Sequence, residues 1–158
     1  MTEAEALVIL RGDDPARAGQ AEAALWAMWC RSGRSDFDGQ LGEAVAAMER
    51  RDFGGAERLL TSLLEAAPEW AEAWNKRATV RYLAEEYRES IADCEETLAR
   101  NPNHFGALSG QGLCHMALGE YRQAAALFMR TLAVHPNLMA ARQNLAHAMG
   151  EAVKGNGR

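Results

Sequence analysis

Pro68, Pro102 and Pro136 stand 34 residues apart, and this spacing constrains the fold more than any other feature of the sequence. Phe53, Tyr87 and Tyr121 keep the same interval, as do Leu64, Leu98 and Leu132. A fixed period of this length, with helical character inside each unit, is the signature of a helix–turn–helix solenoid. Three full units follow from the phase: 37–70, 71–104 and 105–138. Each carries a small residue in the middle of its first helix (Ala44, Ala78, Gly112) and another early in its second (Ala56, Ser90, Ala124). Two helices approach closely only where side chains are small, so these positions set the distance within each pair. The aromatics Phe53, Tyr87 and Tyr121 begin the second helices. Leu60, Cys94 and Phe128, then Leu64, Leu98 and Leu132, continue a buried face at four-residue steps. Each proline follows its second helix, where the helix cannot continue.

The flanks depart from this pattern. Thr2–Arg11 predicts a short helix ending at Gly12, and Asp14-Pro15 is a start signal for the next, with an acidic N-cap and proline at the first helical position. That helix is expected to reach about Arg31 and stop in Ser32-Gly33. Residues 1–36 match the repeat poorly and are expected to form a degenerate helical cap that packs against one neighbour. At the other end, residues 139–153 repeat the first half of a unit. Ala141, Leu145 and Ala146 are its expected core-facing positions, and Gln143, Asn144, His147 and Glu151 give it the polar outer face of a capping helix. Lys154 to Arg158 is expected to fray. With no linker or low-complexity segment, the whole reads as one all-α domain.

Trp74, Ala78, Tyr87, Ser90 and Pro102 at this spacing resemble the tetratricopeptide repeat, whose pattern runs Trp, small, aromatic, small, Pro. The third unit keeps Gly112, Gly119, Tyr121, Ala124 and Pro136 with Leu108 in place of the Trp, and the first has Gln40 there. Ala73 to Thr79 and His104 to Gly110 look like small bacterial and plastid members of unassigned function. The resemblance implies a right-handed superhelix whose first helices line a concave groove for a peptide or a partner helix. The groove would draw Leu41, Val45 and Met48 from unit one; Glu72, Asn75, Thr79 and Tyr82 from unit two; Ser109, Leu113 and Met116 from unit three; and Gln143 and His147 from the capping helix. Spacings of three and four place each set on one helical face. Met48, Tyr82 and Met116 can equally be core between helices, and Asn75, Ser109 and Gln143 a solvated polar face. Family members that grip a chaperone's C-terminal carboxylate use Lys and Asn. The corresponding places here hold Leu41, Val45, Asn75, Thr79 and Ser109, of which only Asn75 has a suitable side chain.

Other chemistries find little support. The chain has 17 basic and 22 acidic residues, a formal charge of −5, where a nucleic-acid binder shows a basic stripe. Cys30, Cys94 and Cys114 are an odd number without CxxC spacing and read as reduced, mostly buried residues of a cytoplasmic protein. The N-terminal stretch carries Glu3 and Glu5 where a signal peptide needs positive charge, and no segment has the roughly 20 apolar residues of a membrane span. His104, Cys114, His115 and His135 do not form a zinc pattern, since Cys114 falls at a core position matching Val80, Ala46 and Ala148. Gly106 to Gly112 lacks the ending of a phosphate loop, and Glu85-Glu86 and Glu95-Glu96 read as solvated helix surface. No cofactor is implied. The chain reads as a scaffold rather than an enzyme, binding an unidentified protein or peptide, with self-association through its terminal helices as the alternative.

Overall fold

The computed structural model describes residues 1–155; Asn156, Gly157 and Arg158, in the expected frayed end, lie outside them. Among the described residues the chain forms nine helices and no strand: α1 (Glu3–Leu10), α2 (Pro15–Trp29), α3 (Ser35–Glu49), α4 (Phe53–Ala66), α5 (Ala71–Leu83), α6 (Tyr87–Arg100), α7 (Phe105–Ala117), α8 (Tyr121–Val134) and α9 (Met139–Lys154). The pairs α3–α4, α5–α6 and α7–α8 stack in register and α9 packs on α8. Thr2 caps α1 through a reciprocal capping box with Glu5, and the Asp14 carboxylate accepts from the backbone N–H groups of Ala16 and Arg17 ahead of Pro15. Helix α2 ends two residues short of Arg31.

The small residues behave as their spacing requires. Ala44, Ala78, Gly112, Ala56, Ser90 and Ala124 are all buried. A Cβ on Gly112 would meet the Phe128 ring at 2.8 Å, so the α7–α8 contact exists only because that position is bare. Ala46, by contrast, is only half-buried, unlike Val80, Cys114 and Ala148 in the same register.

The turn inside each unit shows backbone geometry holding where sequence does not. Arg51, Glu85 and Gly119 share one register and all take positive φ, at 63°, 63° and 75°. In each case the next N–H bonds back five residues, Asp52 to Ala47, Glu86 to Arg81 and Glu120 to His115, which is the Schellman closure of a helix C-terminus. Only glycine takes this conformation without a Cβ penalty. Glu85→Gly is therefore expected to stabilise the fold by roughly 0.5–1 kcal/mol, the steric relief less the entropy glycine adds to the unfolded chain, read as a raised urea midpoint.

The N-terminal hairpin departs from expectation. α2 does not pack side by side with α3 as an end cap would. The α1–α2 hairpin instead lies along the stack, across the junctions between units. Trp70, His104 and Leu138, one repeat apart, are the N-cap residues of α5, α7 and α9, and α2 reaches all three. The Trp70 indole N–H donates to the Trp29 carbonyl at 2.9 Å. The His104 ring stacks on Trp29 with centroids 4.4 Å apart. Leu138 packs against the cluster that Ala21, Leu25, Trp29, Phe105 and Leu108 share. Polar contacts pin the edges: Glu22 with His135 at 2.8 Å, Arg11 to Asn103 at 3.0 Å, and Asn137 to the Gly12 carbonyl at 2.9 Å. The reason is apolar demand. Ala6, Leu10, Ala21 and Leu25 are fully buried, and one helix face of unit one could not cover them together with both tryptophans.

At the other end Ala146, expected in the core, is exposed. It sits one repeat beyond Gly112, but α8 has no counterpart after α9 among the described residues to cover it. Ala141 is buried as expected, and half-buried Leu145 packs against the cluster of Ala124, Phe128 and buried Ala148.

Candidate functional site

The concave side is organised around a carboxylate. Glu72, in the first turn of α5, is 1% exposed. The His104 ring, on the N-cap of α7, receives the Ala107 backbone N–H on Nδ1 at 3.0 Å, which leaves its proton on Nε2, 2.7 Å from Glu72 Oε2. Asn75 Nδ2 donates to Oε1 at 3.0 Å, and Lys76 Nζ lies 3.3 Å from the same atom. Burial pushes the carboxyl pKa up, but the hydrogen bond from His104, the Lys76 charge and the Asn75 amide outweigh it, and the net direction is down. Glu72 is an ionised, fully partnered hub linking α5 to α7 beneath Trp29.

Beside this hub lies a cavity of about 450 Å3 between α2, α5, α7 and the start of α9. Asn75, Thr79, Tyr82 and Leu83 line it from α5, and Gly106, Ser109, Gly110 and Leu113 from α7. Ala78, Ser90 and Cys94 form the floor, and Leu138 and Ala140 close one end. The remaining wall is α2, through Glu22 and Trp26. Burial raises the thiol pKa of Cys94, and of Cys114 behind it, so both are neutral.

Five of the sequence-derived groove residues meet in this cavity: Asn75, Thr79, Tyr82, Ser109 and Leu113. The others are distributed differently. Leu41 is buried in the α3–α5 core with Ala73 and Val80, and half-buried Met48 packs against the same core. Val45 is half-buried on α3, outside the cavity lining. Glu72 lies beneath the surface as the hub. Met116 packs against Phe128 and Ala148. Gln143 and His147 are exposed on α9, His147 edge-on to Tyr121. Twelve lining residues were not in the expected set; ten lie on or beside the repeat helices, and two, Glu22 and Trp26, come from outside the repeats. A signal existed: Gly106 is a bare position where the neighbouring units carry Glu72 and Ala140. A Cβ there would meet the Trp26 ring at 2.6 Å.

The fold and its register can be set beside known proteins. The family model for the tetratricopeptide repeat matches residues 41–104 and again 76–137. The chain belongs to the tetratricopeptide repeat family. A tetratricopeptide repeat-containing protein of Rhizobium etli is 29% identical over 146 residues, which is 92% of this chain and 71% of that one. Among solved structures, the Sgt2 tetratricopeptide domain of Aspergillus fumigatus superposes with a TM-score of 0.74 at 22% identity, covering 78% of this chain and 83% of its own. The first such domain of Spaghetti (RPAP3) gives 0.71 at 19%, covering 72% and 90%. At these identities the likeness establishes the fold, an all-α right-handed tetratricopeptide superhelix. No helix among the described residues is long and apolar enough to cross a membrane.

Proposed function

We propose that the protein is an adaptor that holds a segment of another protein in its concave groove. The observation that carries this reading is the cavity itself: a recess on the concave side, mostly apolar, with Asn75, Thr79 and Ser109 as polar points on two adjacent helices. The related Spaghetti domain was solved bound to an Hsp90 peptide, SRMEEVD, which supports peptide capture as the mode of action. The ligand here is of a different kind. An acidic tail needs free cations, and among the described residues the one basic side chain at the cavity, Lys76, is already committed to Glu72. The test is affinity capture from native lysate with wild type and Ser109→Glu, a half-buried position whose change leaves the core intact. A protein retained by wild type and lost by at least tenfold in the variant supports the groove; equal retention overturns it.

A second reading is favoured by one feature. The outer face of α9 presents Ala146, Met149 and Val153, the last 80% exposed, where a following helix would sit in a longer array. A second copy stacking there would extend the solenoid. A mass that rises with concentration in light scattering, and stays monomeric for Val153→Lys, is the expected result; a monomer throughout removes this reading.

A further inference from the structure

We propose that Trp26 is a specificity-determining residue of the groove, selecting a partner segment that inserts one large apolar side chain with no carboxylate beside it. This rests on the adaptor reading and narrows its ligand. Trp26 is half-buried and gripped between Trp29, His104 and Phe105, whose rings stand near-perpendicular to it with centroids 5.6, 5.3 and 5.4 Å away. Lys76 Nζ lies 5.3 Å from the ring centroid. So gripped, the indole has little rotamer freedom to lose on binding, which makes it a pre-organised contact surface. It rests on Gly106 and shares the cavity with Tyr82 and Leu113.

The wall closes one side of the groove along the starts of the α5 and α7 helices. A recess of about 450 Å3 is of the size that engulfs a side chain and its neighbours. An array open along its whole concave face would instead accept a long strand.

Charge defines the flanks of the inserted residue. Among the described residues, the acidic and the basic side chain that line the cavity are both internally paired, Glu22 with His135 at 2.8 Å and Lys76 with Glu72 at 3.3 Å. A carboxylate on the ligand would find no free cation among these described residues and would meet a chain of formal charge −5. Neutral or basic flanks meet no such penalty.

The experiment uses a phage-displayed library of random 12-residue peptides selected on the intact protein, with Ser109→Glu as counter-selection. The enriched peptides are then made synthetically and added to protein labelled with 5-fluorotryptophan, its four indole signals assigned through single Trp→Phe variants. The expected result is a set of peptides sharing one Trp, Phe, Leu or Met, depleted of Asp and Glu around it. They shift the Trp26 fluorine signal, leave that of Trp74 on α5 unmoved, and bind Trp26→Phe about tenfold more weakly. Because the fluorine readout is taken on the unmutated fold, it stands even if Trp26→Phe loosens the hairpin. Peptides that bind wild type over Ser109→Glu yet leave Trp26 silent, or that are rich in carboxylates, would overturn the role of Trp26 while sparing the groove. No enrichment at all would overturn the adaptor reading and this inference with it.

Discussion

Trp29→Ala is expected to lower the melting temperature by about 10 °C. The side chain is 8% exposed, its face covered by His104, its edge set against Trp26 and its indole N–H given to Glu3 at 3.1 Å. Truncation removes a buried aromatic and leaves a void between three units, a change that costs about 3–5 kcal/mol. In a chain of this length each kcal/mol moves the midpoint by about 2–4 °C. Calorimetry gives the midpoint, and amide exchange shows where the loss falls. Faster exchange is expected in α7, whose Phe105 and Leu108 rest on α2, although α7 lies far from Trp29 in sequence. Loss of protection confined to α1 and α2 would show that the hairpin is an appendage.

The second large effect concerns the buried carboxylate. Glu72→Ala leaves the His104 Nε2–H, the Asn75 amide and the Lys76 ammonium without their shared acceptor. Removing one member of a buried charged network typically costs about 3–5 kcal/mol. The pH dependence carries the sign. The Glu72 pKa is depressed below its ordinary value of 4.5, so the carboxylate's contribution is fully present above that pH and is lost as pH falls through the depressed folded value. The gap in unfolding free energy between wild type and Glu72→Ala is thus expected to be constant from pH 7 to about 5 and to shrink below 4.5. A gap that held at full size to pH 3 would show that Glu72 does not carry the charge. In a double variant Glu72→Leu/His104→Ser the serine keeps an N-cap acceptor for α7 and the leucine fills the hub. It is expected to recover part of the loss, since the buried His104 Nε2–H is then gone, while the Asn75 amide still lacks its acceptor.

What could be read from the sequence was whatever a repeat imposes on itself. Phe53, Tyr87 and Tyr121 begin α4, α6 and α8 as their spacing implied, and the six small positions are buried because each faces the same neighbour in every unit. Local signals also sufficed at Thr2 and Asp14, where a cap needs only its own few residues. The cavity lining was legible in part on α5 and α7, where register alone brings Asn75, Thr79, Tyr82, Ser109 and Leu113 together. It failed where a non-repeating element intervenes. Glu72 has the spacing of a groove residue, but α2 passes over it and converts it into a buried hub. Leu41 has the same register as Asn75 and Ser109 yet joins the core of the first two units. Nothing periodic announced Trp26, since a contact between residues 26 and 106 belongs to no unit. Its trace was indirect, the missing side chain at Gly106.

The hairpin's contacts also bear on the order in which the chain is made. Arg11 bonds to Asn103, Glu22 to His135 and Asn137 to Gly12, over separations of 92, 113 and 125 residues. The two hairpin helices leave the ribosome before α3 to α9 and are nevertheless among the last of the nine described to be seated. Each repeat can close on its predecessor as it emerges, but Leu7, Leu10, Leu25 and Trp29 must wait for α7 and α8 to cover them. Until α7 and α8 emerge, the apolar face of the hairpin has no dock and stays exposed to water.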